Sequence, residues 1–387
     1  MPARDVKGGS TMTAFPSSSD VTAHQHSPGR LLEARRMKAY LLPGLRHRAR
    51  AWHIRYTSTN AQGAPIEVTG TVLVPRTPHA DGPRPLIGYA VGTQGLADFV
   101  AAASWQLSRG LEYESLFIAQ ALRRGWAVAI TDYPGLGSDG THPYVMGRAL
   151  GPSVLDSMRA ARQLADAELD PDGPLAICGY SEGGCAAGWA LQLQPSYAPD
   201  LPLVGGAVGS PPADLEGMFE AHDGKLFAFL LFWAVMGIDA AYPELEVLSH
   251  LKPSARMLAA VLRRAHVVPG FAFGMAYGAV LPTQSARFVH RHPLEVPEVL
   301  ARVRENRLGS IPPATPILLG AGTGEQIVPF SQTANLYADW RELGVDVTMH
   351  TMPRLEHLTG AFGFAPRAFS FLADRFTENR LQRPLSA

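Results

Sequence analysis

Cysteine is nearly missing from this 387-residue chain: there are two, Cys178 and Cys185. So few exclude a disulfide scaffold, and no cysteine or histidine spacing of the zinc-binding kind is present. The two flank a predicted turn that a bridge would have to cross, so buried free thiols are expected. An excess of charge is missing too. Lys plus Arg number 34, as do Asp plus Glu, and nothing indicates binding to nucleic acid or an anionic membrane by charge alone. No apolar run reaches the roughly 20 residues needed to span a bilayer. His290 and His292 stand as a pair without partners and read as surface, not as metal ligands. Residues 1–30 are rich in Ser, Thr, Gly and Pro and lack the apolar segment of a signal peptide. They read as a disordered lead, and on that ground the location reads as cytoplasmic.

What is present is an ordinary globular composition, 46% hydrophobic and 18% charged, with length for one large domain with an insertion or for two domains. The most informative stretch is Leu175 to about Gln194. A short apolar run, Leu175 to Cys178, reads as a buried strand; Gly179-Tyr180-Ser181-Glu182-Gly183 follows, and then an Ala-rich helical pattern. G-x-S-x-G between a strand and a helix signals a nucleophile elbow, in contrast to a chance glycine turn. Side chains two residues either side of a serine on so sharp a turn would collide with the strand or helix, which accounts for the glycines. Ser181 is the candidate nucleophile, and the Glu182 N–H at the helix start is a candidate oxyanion donor.

Upstream, Leu31 to Leu42 is expected as a weak amphipathic helix. Two alternating runs, Arg50 to Thr57 and Ile66 to Val74, predict an antiparallel hairpin around Asn60 to Pro65. Leu86 to Val91 is the next strand. The Gly92-Thr-Gln-Gly95 turn after it stands where a second oxyanion donor is expected, with Thr93 N–H as the candidate. A helix at Tyr113 to Arg124 and a strand at Trp126 to Asp132 follow. Gly135 to Gly140 fits G-x-G-x-x-G, but Thr141-His-Pro-Tyr follows where a dinucleotide site needs a helix, so a rim loop is the better reading. Helix Ser153 to Ala165 and strand Leu203 to Val208 continue the alternation, which specifies a mainly parallel sheet with crossover helices.

Between about 213 and 310 the alternation stops. The segment is mainly helical and very apolar, including Leu226 to Gly237 and Gly270 to Gly278. Its position between two strands, just after the elbow unit, predicts an inserted cap rather than a plain core helix, with Phe227, Phe229, Phe232 and Trp233 as candidate substrate-binding residues. The expected organisation is therefore a lead (1–30), a core in two parts (31–212 and 311–387) and a helical cap (213–310). The α/β pattern resumes with strand Pro316 to Gly322, helix Gln332 to Leu343, strand Val345 to Met352 and helix Pro366 to Asn379.

A serine nucleophile needs a base, and the base needs an acid to hold its tautomer. Glu325 is the only acidic residue after the 316–322 strand and before the next helix. His357, on the loop after the last strand, has the expected position among thirteen histidines; His350 lies inside that strand and reads as structural, and Asp132 is the fallback acid. Together these motifs resemble the secretory lipases of the lipase A type, within the α/β-hydrolases. The resemblance runs in order through Gly92–Gly95, Thr131-Asp-Tyr-Pro-Gly-Leu-Gly137, Leu155–Ala161, Gly179–Gly184, Ser196–Leu201, Pro211–Asp214, Ile327-Val-Pro329 and His357-Leu-Thr359. It implies an α/β-hydrolase core, a helical cap after the sixth strand, and metal-free hydrolysis of fatty-acyl and simpler esters with some acyl transfer to alcohols. The family is mostly exported. The chain departs from the family pattern in having Glu325 where Asp is usual, no cysteine within Phe99–Ser104, and Glu182 where Gln or Gly is commoner. The expected function is ester hydrolysis on a small-molecule ester or lipid, with no cofactor and no metal. An acyltransferase and a catalytically silent binding homologue are the alternatives.

Overall fold

The computed structural model describes residues 27–281 and 283–382. The first strands bring a correction. Residues 31–42, expected as a helix, are extended as β1 (Leu31–Met37) and β2 (Tyr40–Leu42), and β2 pairs with β3 (Leu45–Arg46). A weak apolar period leaves conformation to the neighbours, and β4 (Ala49–Thr59) presents an open edge. β1 pairs antiparallel along it from Leu31↔Tyr56 to Met37↔Ala51. The Arg36 guanidinium lies over the Trp52 ring at 4.1 Å, and Arg55 bridges to Glu33. Of the expected disordered lead, residues 1–26 lie outside the described residues. Residues 27–30 are tied to this edge: Gly29 N–H donates to the Thr57 carbonyl, and the Thr57 hydroxyl to the Ser27 carbonyl.

The expected hairpin forms. β4 and β5 (Pro65–Pro75) pair without a break from Ala49↔Pro75 to Thr59↔Pro65. The Asn60 side chain closes the turn by accepting from the Gln62 and Ala64 N–H groups. Then come β6 (Leu86–Ala90), α1 (Asp98–Ala101), α2 (Ala103–Leu107), α3 (Ser115–Arg123), β7 (Ala127–Thr131), α4 (Gly147–Arg162), β8 (Leu175–Tyr180), α5 (Glu182–Tyr197) and β9 (Leu203–Gly209). Helices α6 (Leu215–His222), α7 (Phe229–Ala241), α8 (Pro253–Arg263), α9 (Val267–Val280) and α10 (Pro297–Glu305) intervene before β10 (Ile317–Gly322), α11 (Phe330–Glu342), β11 (Val347–Met352) and α12 (His357–Gln382). Among the described residues, one sheet has the order β1-β4-β5-β7-β6-β8-β9-β10-β11. It is parallel from β7 onward. No helix among the described residues is long and apolar enough to cross a membrane.

Two helix starts differ from expectation. α4 begins at Gly147, six residues before Ser153, and runs through Pro152. Gly147 and Gly151, which look like loop residues, are where α4 lies against α5. A Cβ at 147 would come within 1.8 Å of the Trp189 ring, and one at 151 within 2.9 Å of backbone. α12 begins at His357, not Pro366, and contains that proline.

The apolar interior falls into two clusters. One fills both faces of the sheet. The other is built on α6 to α10 around Trp233 and Tyr242, and it includes Leu96, Tyr144, Ile327 and Val328. Those four belong to the loops after β6, β7 and β10, so the helical segment packs on loops at the carboxyl ends of the parallel strands. In open α/β sheets that is the ligand-binding side.

Candidate active site

β8 is buried at all six positions, and it sits between β6 and β9 in the sheet. At its end Ser181 adopts φ 61° and ψ −125°, a region that non-glycine residues avoid. The turn is locked from both sides. Ser181 N–H donates to the Gly209 carbonyl at 2.9 Å, and the Ser181 carbonyl accepts from Cys185 N–H at 3.0 Å. The flanking glycines are obligatory, because a Cβ at 179 would lie 2.1 Å from the Gly183 oxygen, and one at 183 lies 2.1 Å from the Ala90 oxygen. Cys178 and Cys185 are free and buried, and burial pushes both thiols up, Cys178 to about 12.

The structure brings Ser181, His357 and Glu325 together. His357 Nε2 lies 2.9 Å from Ser181 Oγ, and its Nδ1 lies 2.8 Å from Glu325 Oε1. Glu325 Oε1 also accepts from the Ile327 and Val328 N–H groups, each at 3.1 Å, and its side chain is fully buried. His357 is held from behind as well. Its N–H donates to Gln326 Oε1 and its carbonyl accepts from the Tyr180 hydroxyl, which in turn takes a bond from Ser210. Glu356, one residue earlier, caps the start of α12 by accepting from the Leu358 and Thr359 N–H groups and from Gln326. Some desolvation opposes it, but these bonds hold its carboxyl down to about 2. The fallback acid, Asp132, is elsewhere. It accepts from Ser104 N–H, Ser104 Oγ and Thr69 Oγ1, and burial raises it to about 6 despite those bonds.

Thr93 stands on the loop after β6, and Glu182 at the start of α5 just after the neighbouring strand β8. Among the described residues the Thr93 N–H makes no hydrogen bond. The loop that carries it is fastened by residues that sequence reasoning passed over. Glu114 accepts from Gly92 N–H at 3.1 Å, the Tyr113 hydroxyl donates to the Thr93 carbonyl at 3.1 Å, and Gln94 donates to the Gly92 carbonyl. Burial drives Glu112 up to about 7 and Glu114 well above the ordinary range. Two glutamates flanking Tyr113, directly before an apolar helix, were the available signal. On the other side, the helical segment is stitched to this loop: Val267 N–H donates to the Gln94 carbonyl, and Leu96 N–H to the Ala265 carbonyl.

The four aromatic candidates are all engaged within the helical segment. Phe229 packs edge-on against Trp233 and Phe271, and Phe227 lies against Phe229 and His222. Phe232 packs on Phe288 at the wall of a small cavity of ≈ 40 Å³ that none of Ser181, His357 and Glu325 lines. Trp233, fully buried, reaches toward the site by its edge-on contact with Tyr144, whose hydroxyl bonds Thr93 Oγ1 at 3.1 Å.

Sheet order, elbow and the loops at the strand ends define an α/β-hydrolase. The known structure of Candida antarctica lipase A in its closed state superimposes with a TM-score of 0.81, covering 95% of this chain and 88% of that one at 21% identity, a likeness of fold. Residues 103–383 match the family model for secretory lipase, and the chain belongs to that family of carboxylic-ester hydrolases. "Lipase 1" of Candida albicans is 28% identical over 344 residues, 84% of this chain and 72% of its own length. "Probable inactive lipase MT1628" of Mycobacterium tuberculosis is 29% identical over 364 residues, 91% of this chain and 80% of its own length. The cytoplasmic location expected from the N-terminal composition finds no support in these comparisons, since the family is a secretory one.

Proposed function

We propose that the chain hydrolyses esters of apolar acids through Ser181, His357 and Glu325 by way of an acyl-enzyme. The observation that carries this reading is the continuous line of hydrogen bonds from Ser181 Oγ through His357 to Glu325. A carboxylate only accepts, so Nδ1 carries the hydrogen and Nε2 is left as the base toward serine. As Oγ attacks the ester carbonyl, its proton passes to Nε2, and the imidazolium that forms is stabilised by the Glu325 carboxylate. The carbonyl oxygen becomes the oxyanion, with the Thr93 and Glu182 N–H groups as donors. Nε2 then protonates the departing alcohol. Water attacks the acyl-enzyme by the same route in reverse, and the acid is released.

An apolar acyl group is favoured by the helical segment on the same side of the sheet, whose cluster shares Leu96, Ile327 and Val328 with the loops around the triad. Phe227, Phe229, Phe232 and Trp233 supply that apolar wall; since each now contacts other side chains of the segment, direct contact with an acyl chain requires the segment to shift. Export agrees with family membership.

The existence of a relative described as inactive gives the silent-homologue alternative its weight, and one experiment separates the two. With 4-nitrophenyl esters from acetate to palmitate, a stoichiometric burst of nitrophenolate followed by turnover is expected. Ser181→Ala should fold normally and abolish both phases, because loss of one half-buried hydroxyl costs little stability. A correctly folded Ser181→Ala that keeps more than about a hundredth of the wild-type rate would sink the assignment. Added alcohol that diverts most of the product from acid to ester would favour acyl transfer instead.

A further inference from the structure

The loop between β7 and α4 buries a histidine against the residue that follows the nucleophile. His142 Nε2 lies 2.7 Å from Glu182 Oε1, with both side chains 1% exposed. His142 Nδ1 lies 3.1 Å from the Pro134 carbonyl. The ring is stacked on Tyr133 at 5.6 Å and 26°, and Tyr144 meets it edge-on at 6.2 Å. Both tyrosines end on the oxyanion-loop segment. The Tyr133 hydroxyl donates to the Val91 carbonyl at 2.8 Å, and the Tyr144 hydroxyl bonds Thr93 Oγ1 at 3.1 Å.

The proton inventory of the pair is fixed by its partners. A carbonyl only accepts, so Nδ1 carries a hydrogen. A contact of 2.7 Å between Nε2 and a carboxyl oxygen then needs one further proton between them, either on the imidazole or on the acid. In both forms the pair is neutral overall. It therefore sits beside the nucleophile without adding a net charge to the place where negative charge would develop.

We propose that His142 is a positioning residue that sets the two oxyanion N–H groups in register, acting on Glu182 directly and on Thr93 through Tyr144. This rests on the reading of Thr93 and Glu182 as donors. Ser181 has a backbone conformation that persists only when its surroundings over-determine it. The peptide leading into Glu182 is held at its carbonyl, which accepts from Cys185 N–H, and the Ser181 N–H before it is held by the Gly209 carbonyl; the His142 bond adds a hold on the Glu182 side chain. Without that bond the Glu182 N–H gains freedom to turn away, and a donor displaced from the developing oxyanion loses most of its effect on the transition state while hardly altering ground-state binding.

The test compares Glu182→Met, Glu182→Gln and His142→Phe in the full chain, with phenylboronic acid as the probe of tetrahedral-adduct stability. Met fills the site without a hydrogen bond. Gln keeps the bond, its amide donating to Nε2. Phe keeps the stack with Tyr133 but removes the bond from the other side. Glu182→Met and His142→Phe are expected to lose about 30- to 300-fold in kcat/KM, almost all of it in kcat, with boronate affinity weakened by a similar factor and KM within about threefold. Glu182→Gln is expected to lose only about threefold. The proposal is overturned if Glu182→Met or His142→Phe stays within threefold of wild type. It is equally overturned if the loss appears in KM with boronate affinity unchanged, or if Gln falls as far as Met. Should Met and Phe fail to fold, the Gln variant decides: a loss beyond 30-fold overturns, a threefold loss sustains. Full activity in Ser181→Ala would remove the underlying assignment instead, a different failure.

Discussion

Glycines mark a difference between the elbow, in the sheet half of the molecule, and α9, in the helical segment that lies between β9 and β10. Around the elbow, an added Cβ at 179, 183 or 184 meets a backbone oxygen at 2.1 to 2.3 Å, whereas in α9 one at 270 or 274 meets the Trp233 or Phe229 ring at 2.7 or 2.2 Å, and one at 278 the Leu226 oxygen at the longer 2.6 Å. Exposure follows the same division. Met257, Val268 and Val280 on α8 and α9 are 70%, 66% and 80% exposed, while β8 is wholly buried. Proton transfer needs groups held to a fraction of an ångström, and the sheet half supplies that. Under the proposed function, taking apolar chains of differing length falls to the helical segment, whose α8 and α9 expose those side chains.

The sharpest way to break this division is to damage the rigid half without changing its shape. Glu325→Gln keeps the acceptor for the Ile327 and Val328 N–H groups and removes the charge. It is expected to lower kcat by roughly two to four powers of ten with KM little changed. Glu325→Asp keeps the charge but retracts the carboxylate by one methylene from a histidine now 2.8 Å away, so it should fall between wild type and Gln. A Gln variant within a few-fold of wild type would show that the acid lies elsewhere; Asp132, committed to Ser104 and Thr69, could not replace it without rearrangement.

In the helical segment the expected effect is smaller and selective. Phe229→Ala removes a ring packed against Phe227, Trp233 and Phe271, a truncation that costs about 3–5 kcal/mol in a well-packed core and less where neighbours can collapse. If this segment forms the acyl side, kcat/KM for a decanoate or palmitate ester should fall more than about tenfold and that for acetate less than about threefold, since each buried methylene contributes up to ~0.8 kcal/mol. Equal losses on short and long esters would place Phe229 in the scaffold alone and erase the functional side of the comparison.

The elbow, the parallel alternation and the Ser181, His357 and Glu325 set were legible in the sequence because each has a local signature: glycines at fixed offsets, apolar runs of strand length, a lone acid and a lone histidine after successive strands. The failures share a cause. Leu31–Leu42 and the start of α4 are decided by partners elsewhere in the chain, β4 and Trp189, and Gly147, Gly151 and Pro152 carry no local helix signal until the helix they fit against is known. The supports of the loop after β6 escaped for the same reason. Glu112, Glu114 and His142 are polar residues whose burial is tertiary, and an acidic residue before a helix reads as solvated until something covers it.

The smallest expected effect concerns one of those supports and tests whether the rigid half tolerates its buried carboxylates at a cost. Burial raises Glu112 from 4.5 to about 7, although bonds from Glu114 N–H and Gln94 oppose this. A carboxyl whose folded value lies above its unfolded one binds its proton more tightly when folded. It therefore favours the fold at low pH and loses that advantage as pH rises from about 4.5 through about 7. His47 and His53, lowered by burial to about 4, act in the opposite sense as pH rises from about 4 to 6.5, while Glu114, Asp132 and Asp156 are raised by burial like Glu112, so the wild-type profile alone does not isolate one group. The difference between wild type and Glu112→Gln isolates the glutamate, because the histidines cancel. Near pH 4.5 both proteins present a neutral group at 112 and should melt within a degree or so of each other. By pH 8 the Gln variant should be the more stable, by on the order of 3 kcal/mol before the loss from an imperfectly placed amide is subtracted, with kcat within a few-fold. A melting difference that does not change between pH 5 and pH 8 would mean that Glu112 is already ionised in the folded protein at pH 5, and that the loop after β6 rests on a support indifferent to pH.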